Sequence, residues 1–177
     1  MSAPSEVVWR LDGLLLDALS TLGAPFERVA AGAYAVTLHG RRRASTVVWL
    51  IAGEQALAVE AFVMHVIEPD AAAVARLHRH LLGRNLRLRG VHFGLDDVGD
   101  VFLTGSLPTA GVDEVGVDRL LGEVLQLLED EQDTLIAAAY GDRLQGDPAL
   151  AAKVLADGAG RRPAGTPDWA PHRDVRR

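Results

Sequence analysis

The chain has 177 residues, 49% of them apolar, and a formal charge of −6: room for one ordinary domain with a real core, too little for a second full one, and the wrong sign for a general nucleic-acid binder. It has no cysteine, which removes disulfides, thiolate metal ligands and a cysteine nucleophile and suits a reducing cytoplasm. The opening "MSAPSEVVWR" lacks a basic segment followed by an apolar run, and no stretch approaches the ~18 consecutive apolar residues of a membrane span, so neither a signal peptide nor membrane association is expected.

Residues 7–22 read as a helix. Val8, Leu11, Leu15, Leu19 and Leu22 follow helical spacing, Gly23 supplies a stop and Pro25 follows. Trp9, Leu14 and Leu16 widen the apolar arc beyond one stripe, leaving Arg10, Asp17 and Thr21 as the polar side. Either the helix is deeply buried or one of its edges meets a partner. Three extended segments come next: "AYAVTL" (33–38), "STVVWLI" (45–51) and "ALAVEAFVMHVI" (56–67). The link "AGEQ" suits a tight hairpin and "HGRRRA" a looser one, giving an antiparallel meander.

Pro69 opens a second helix running to about Gly83, striped by Val74, Leu77 and Leu81. "VHFGL" and "DVFLTGSL" are two further strands, and a last long helix begins at Asp113, an expected N-cap. Its apolar arc holds Val117, Leu120, Leu121, Val124, Leu127, Leu128 and Leu135; Glu131 falls inside that arc, which predicts a bend or an end of burial near 130. The order is α-β-β-β-α-β-β-α, an α+β class with one antiparallel sheet packed by helices. We place the domain at 1–142. Residues 143–177 follow as a C-terminal segment with a short helix at 148–157 and then a disordered tail.

Residues 158–177 carry Arg161, Arg162, Arg173, Arg176 and Arg177 against Asp168 and Asp174, a balance of +3 that leaves −9 for the rest. Rich in Gly, Pro and Ala, this stretch offers too little apolar surface to offset its ordering entropy, and Trp169 is its one candidate docking anchor.

"LDDVGDVF" (95–102) gathers Asp96, Asp97 and Asp100 around a glycine, as a calcium loop would. An EF-hand loop needs oxygen ligands at positions 1, 3 and 5 and a glutamate at 12. Counting from Asp96 puts Val98 at 3 and Leu107 at 12, and counting from Asp97 puts Gly99 at 3, so both frames fail. A type I turn closed by a left-handed glycine, with Asp96 bonding its own turn backbone, fits better.

His78 and His80 are two apart on the second helix and point about 200° apart, so they do not share one ion, and no HExxH pair exists. No metal or cofactor is expected. His65 and His92 read as strand-surface residues, and G-x-S-x-G, G-x-G-x-x-G and P-loop patterns are absent. Without a nucleophile, base and oxyanion donor in one set, the chain is read as no enzyme. Arg41, Arg42 and Arg43 could touch an anion, but they sit in an expected hairpin loop of an acidic domain, and a solvated loop is the better reading.

"VVWLIAGEQALAVEAF" (47–62), then "LLGRNLRLRGVHFGLDDVGDVFLTGSLP", then an acidic long helix, resembles the YbjN-type family, a bacterial and notably actinobacterial family with a fold like the type III secretion chaperones. The landmarks are "EAF", "RNL", "GDVFL" and "LP", and the resemblance covers roughly residues 5 to 140. It implies an often dimeric domain whose relatives hold an extended segment of a client protein, and it brings no catalytic residues; the cytoplasmic location is expected from the cysteine-free composition. The expected function is therefore a non-catalytic, homodimeric binding module, chaperone-like or regulatory, with Trp9, Leu14, Leu16, Trp49 and Phe62 as its protein-binding surface. The alternative is a stress or sensory regulator linked to nucleic acid through Arg41–Arg43 and the basic tail.

Overall fold

The computed structural model describes residues 4–154 apart from 44, 68 and 145. Helix α1 (Glu6–Leu22) starts where the Ser5 side chain accepts the Val8 N–H, and it stops at Gly23, whose left-handed φ of 67° an L side chain resists. Leu11, Leu15 and Leu19 on its inner stripe are fully buried, each contributing about 2 kcal/mol of hydrophobic stabilisation. Strands β1 (Phe26–Ala30), β2 (Ala33–Leu38), β3 (Thr46–Ala52) and β4 (Ala56–Met64) form an antiparallel meander. Helix α2 (Ala71–Asn85) is capped by Asp70, so Pro69 lies just outside it. Strands β5 (Val91–Leu95) and β6 (Val101–Pro108) form the hairpin expected around "DDVG". Helix α3 (Glu114–Tyr140) has Asp113 as its N-cap, and α4 (Pro148–Val154) follows a 3-10 turn.

The six strands lie in the order β1-β2-β3-β4-β6-β5, antiparallel throughout. Strand alternation sorts the faces. Tyr34, Val36, Val48, Leu50, Val59, Ala61, Leu103 and Phe93 point to the side on which α1, α3 and α2 lie, and they form the core. Trp49, Glu60, Phe62, Phe102 and Thr104 point to the other side. The α+β class with one helix-packed antiparallel sheet holds.

Three details differ from expectation. Strand β1 is added to the predicted order. Its "FERVA" fails the alternation test because Arg28 points toward the helices, where Asp12 receives it. The strand after Ala56 ends at Met64 rather than 67. Helix α3 runs unbroken through 130: Glu131 is buried, and its charge is met by His80 and Arg84 of α2, so the apolar arc takes an acid without bending. The expected disordered tail at 158–177, and residues 155–157 of the expected short helix, lie outside the described residues. Of the segment that is described, Val154 is fully buried in the same core as the domain.

Candidate protein-binding surface

Asp12 joins the first helix to the first hairpin. Its carboxylate accepts two hydrogen bonds from Arg28 (3.0 and 2.7 Å), one from the Gly32 N–H (2.7 Å) and one from the Tyr34 hydroxyl (2.8 Å). Burial pushes the Asp12 carboxyl up, but the bonds from Arg28, Gly32 and Tyr34 and the guanidinium charge outweigh it, so Asp12 titrates below its ordinary value. Burial and the neighbouring Asp12 push the Tyr34 phenol up, so it stays a donor. Gly32 is required at this turn. Its φ is 71°, and a Cβ there would lie 2.9 Å from both Val8 Cγ1 and Ala52 Cβ.

This anchor fixes what lies beside it. Trp9 is 53% exposed and Leu16 41% exposed, and seven residues along a helix they share one flank. The Arg28 guanidinium carbon sits 6.0 Å over the Trp9 ring. Next to that flank, β1 is an edge of the sheet, paired with β2 alone. The Thr37 N–H donates to the Pro25 carbonyl (2.8 Å). Narrow and wide pairs alternate along an antiparallel ladder, so the backbone N–H and C=O of Phe26 and Arg28 face outward. An exposed apolar flank therefore adjoins an open strand edge. The other sheet edge is closed at its centre: the Asn85 side-chain amide donates to the Phe93 carbonyl (2.9 Å) and accepts the Phe93 N–H (2.8 Å), standing in for a neighbouring strand.

The remaining expected binding residues are dispersed. Leu14 lies about 140° around α1 from Trp9, on the opposite flank. Trp49 and Phe62 lie on the sheet face away from the helices. Trp49 is part-exposed in a groove with Ile51, Ala58 and Glu60, whereas Phe62 is buried against Phe102, His65 and Arg43.

The three arginines of the β2–β3 loop do not form one patch. The loop backbone wraps Glu129 of α3, which accepts the Arg42 N–H, and that contact holds Glu129 below its ordinary value. The Arg42 side chain pairs with Asp133. Arg43 turns inward to the Phe62 and Val63 carbonyls (3.2 and 2.7 Å). Only Arg41 presents its full side chain to solvent, at 97%. A bound anion would have to displace Glu129 from the loop's donors.

In the β5–β6 turn, Asp96 accepts the Val98 and Asp100 N–H groups, and Gly99 takes the expected left-handed φ of 89°. Asp100 does something the spacing did not announce. It is buried, lies 2.7 Å from His65 Nδ1 and accepts the Val66 N–H (2.9 Å). His65 is thus a ligand of the β4–α2 link and no strand-surface residue. The same link is held by Tyr140, whose hydroxyl accepts the Ile67 N–H and donates to the His65 carbonyl, and by Val154, whose carbonyl accepts the His65 N–H (3.0 Å). Burial raises the Tyr140 phenol, which keeps its proton for that bond. Among the described residues no group of three or more His, Asp or Glu could hold a metal ion, and no helix is long and apolar enough to cross a membrane.

The chain shares its antiparallel sheet, with the long helices on one side, with the crystal structure of the ExsC–ExsE complex at a TM-score of 0.52 and 20% identity, covering 74% of this chain and 97% of that one. It is also similar to the Yersinia pestis type III secretion chaperone SycH, solved with a stable fragment of YscM2, at a TM-score of 0.49 and 24% identity over 71% of this chain and 98% of that one.

The chain belongs to the YbjN family, described as "Putative bacterial sensory transduction regulator", which matches residues 12–137. An uncharacterised protein of Mycobacterium leprae, ML2442, is 35% identical over 82% of this chain and 80% of its own length. The uncharacterised protein Rv0487 of Mycobacterium tuberculosis is 36% identical over 66% of this chain, a match that spans 62% of that relative.

Proposed function

We propose that the chain is a non-catalytic binding module that holds an extended segment of a client protein. The observation that carries this is the pairing of the Trp9–Leu16 flank with the open edge of β1. An extended segment laid along that edge would satisfy the outward backbone groups of Phe26 and Arg28 and place alternate apolar side chains against Trp9 and Leu16. The shared fold with the ExsC–ExsE complex supports a protein partner, and the family's description supports a client in signalling. Two exposed anchors with a strand edge give a standard route to affinity, since Trp is enriched among residues that dominate interfaces. The anion alternative draws no support from a loop whose backbone donors Glu129 already fills.

The test is a paired pull-down. Wild type should retain a partner that Trp9→Glu/Leu16→Glu loses while keeping its circular dichroism, because both residues are exposed; a partner retained equally by both removes this flank as the site. The module is further proposed to be a homodimer. Light scattering should give twice 18.9 kDa, and a mass of 18.9 kDa contradicts the dimer.

A further inference from the structure

All the long helices cover one face of the sheet, and the other face is left without a described element upon it. That face is not polar. Trp49, Ile51, Ala58 and Glu60 line a groove of about 220 Å³ across β3, β4 and β6, with Thr104 opposite. We propose that this groove is the docking site of the chain's own C-terminal segment, residues 155–177, with Trp169 seated beside Trp49.

The first support is where the chain leaves the domain. Val154 is fully buried and its carbonyl accepts the His65 N–H, so the last described residue lies just past the end of β4. There the His65 ring lies 4.6 Å from that of Phe62, which points to the open face. Glu60 is five residues back along β4 from His65, about 17 Å. Fourteen residues, 155–168, precede Trp169 and span up to about 45 Å, so the groove is within reach without strain. A tether of that length holds Trp169 at an effective concentration in the millimolar range, where a weak contact suffices.

Charge is the second support. Residues 158–177 carry +3 on a chain whose remainder carries −9. On the open face Glu60 sits in the groove, and Glu27 shares its cross-strand row through Ala35 and Trp49. A second copy brought to the same face would bring net negative charge to negative charge. Trp169 is also the one Phe, Tyr or Trp in the segment, hence its largest apolar side chain. None of this depends on whether the α1 flank takes a client.

The chain has no cysteine, so one introduced pair is unambiguous. Ala58→Cys in the exposed part of the groove and Thr166→Cys beside Trp169 should close an intramolecular disulfide in the full chain at micromolar protein. We expect closure at least tenfold faster than for Asp118→Cys/Thr166→Cys, whose first member is exposed on α3 across the sheet, and a fall toward that control rate when Trp169→Ala is added. Equal rates for the two pairs, a rate indifferent to Trp169→Ala, or a disulfide that doubles the mass through a second copy would each overturn the proposal.

Discussion

Arg28 grips Asp12 through two nitrogen–oxygen contacts of 3.0 and 2.7 Å, and by doing so it holds an edge strand against the one flank of α1 that exposes a tryptophan. The edge, the flank and the anchor are one unit, so disturbing the anchor should disturb the surface.

Asp12→Ala should cost about 3 kcal/mol, since it leaves the Gly32 N–H and the Tyr34 hydroxyl buried without their acceptor and Arg28 without its partner. Urea unfolding checks it: the midpoint falls with an unchanged slope. A loss below about 0.5 kcal/mol would show that the anchor is dispensable.

Acid should unfold the protein through two carboxylates. Asp12 and Glu131 are both held below their ordinary values. At Glu131 burial raises the carboxyl, and the bonds from His80 and Arg84 and their charges more than reverse it. A folded pKa below the unfolded one adds stability that is fully present above the ordinary carboxylate range and disappears as pH falls through the folded value. Stability should hold from pH 7 to about 5 and drop below about 4. Asp12→Asn/Glu131→Gln should start lower at pH 7 and show a shallower acid limb; an acid limb as steep as wild type's would assign acid unfolding to other groups.

The three aspartates of the β5–β6 turn should separate in a melting series. Asp100→Ala strands the Val66 N–H and His65 at a buried site and should cost about 2 kcal/mol. Asp96→Ala loses two turn bonds nearer the surface and should cost about 1 kcal/mol. Asp97 is exposed, and Asp97→Ala should stay within about 0.5 kcal/mol. Thermal unfolding ranks them; the reverse order would mean that the turn, and not the His65 link, is what Asp100 serves.

Asn85→Ala should cost about 1–2 kcal/mol and open the β5 edge at Phe93. Sedimentation at rising concentration should show association in the variant beyond that of wild type. Identical profiles would mean that the edge is blocked by something other than this amide.

What could be read from the chain divides by how local its cause is. The "DDVG" turn, the Gly23 stop of α1 and the Asp113 cap were legible, because turn and cap chemistry acts within a few residues. Strand β1 was hidden because Arg28 breaks its alternation, and only its distant partner Asp12, sixteen residues earlier, makes that orientation tolerable. Glu131 misled for the same reason: His80 and Arg84, four apart on α2, were the available signal, a histidine and an arginine on one face awaiting an acid. His65 and Asp100 are 35 residues apart, and nothing in either neighbourhood names the other. On the binding surface, the widened apolar arc of α1 fitted deep burial as well as an exposed edge, and the open strand edge beside Trp9 and Leu16 needed β1, so the sequence named these residues without deciding their exposure or the ledge they stand over.

The central claim is that an extended client segment lies along β1 and against Trp9 and Leu16. Amide hydrogen exchange on the chain bound to the partner that the paired pull-down yields tests it most directly. The N–H groups of Phe26 and Arg28, which face outward in the free chain, should slow at least tenfold on binding, with no comparable change at Phe93. Unchanged exchange at Phe26 and Arg28 in a saturated complex would contradict the account.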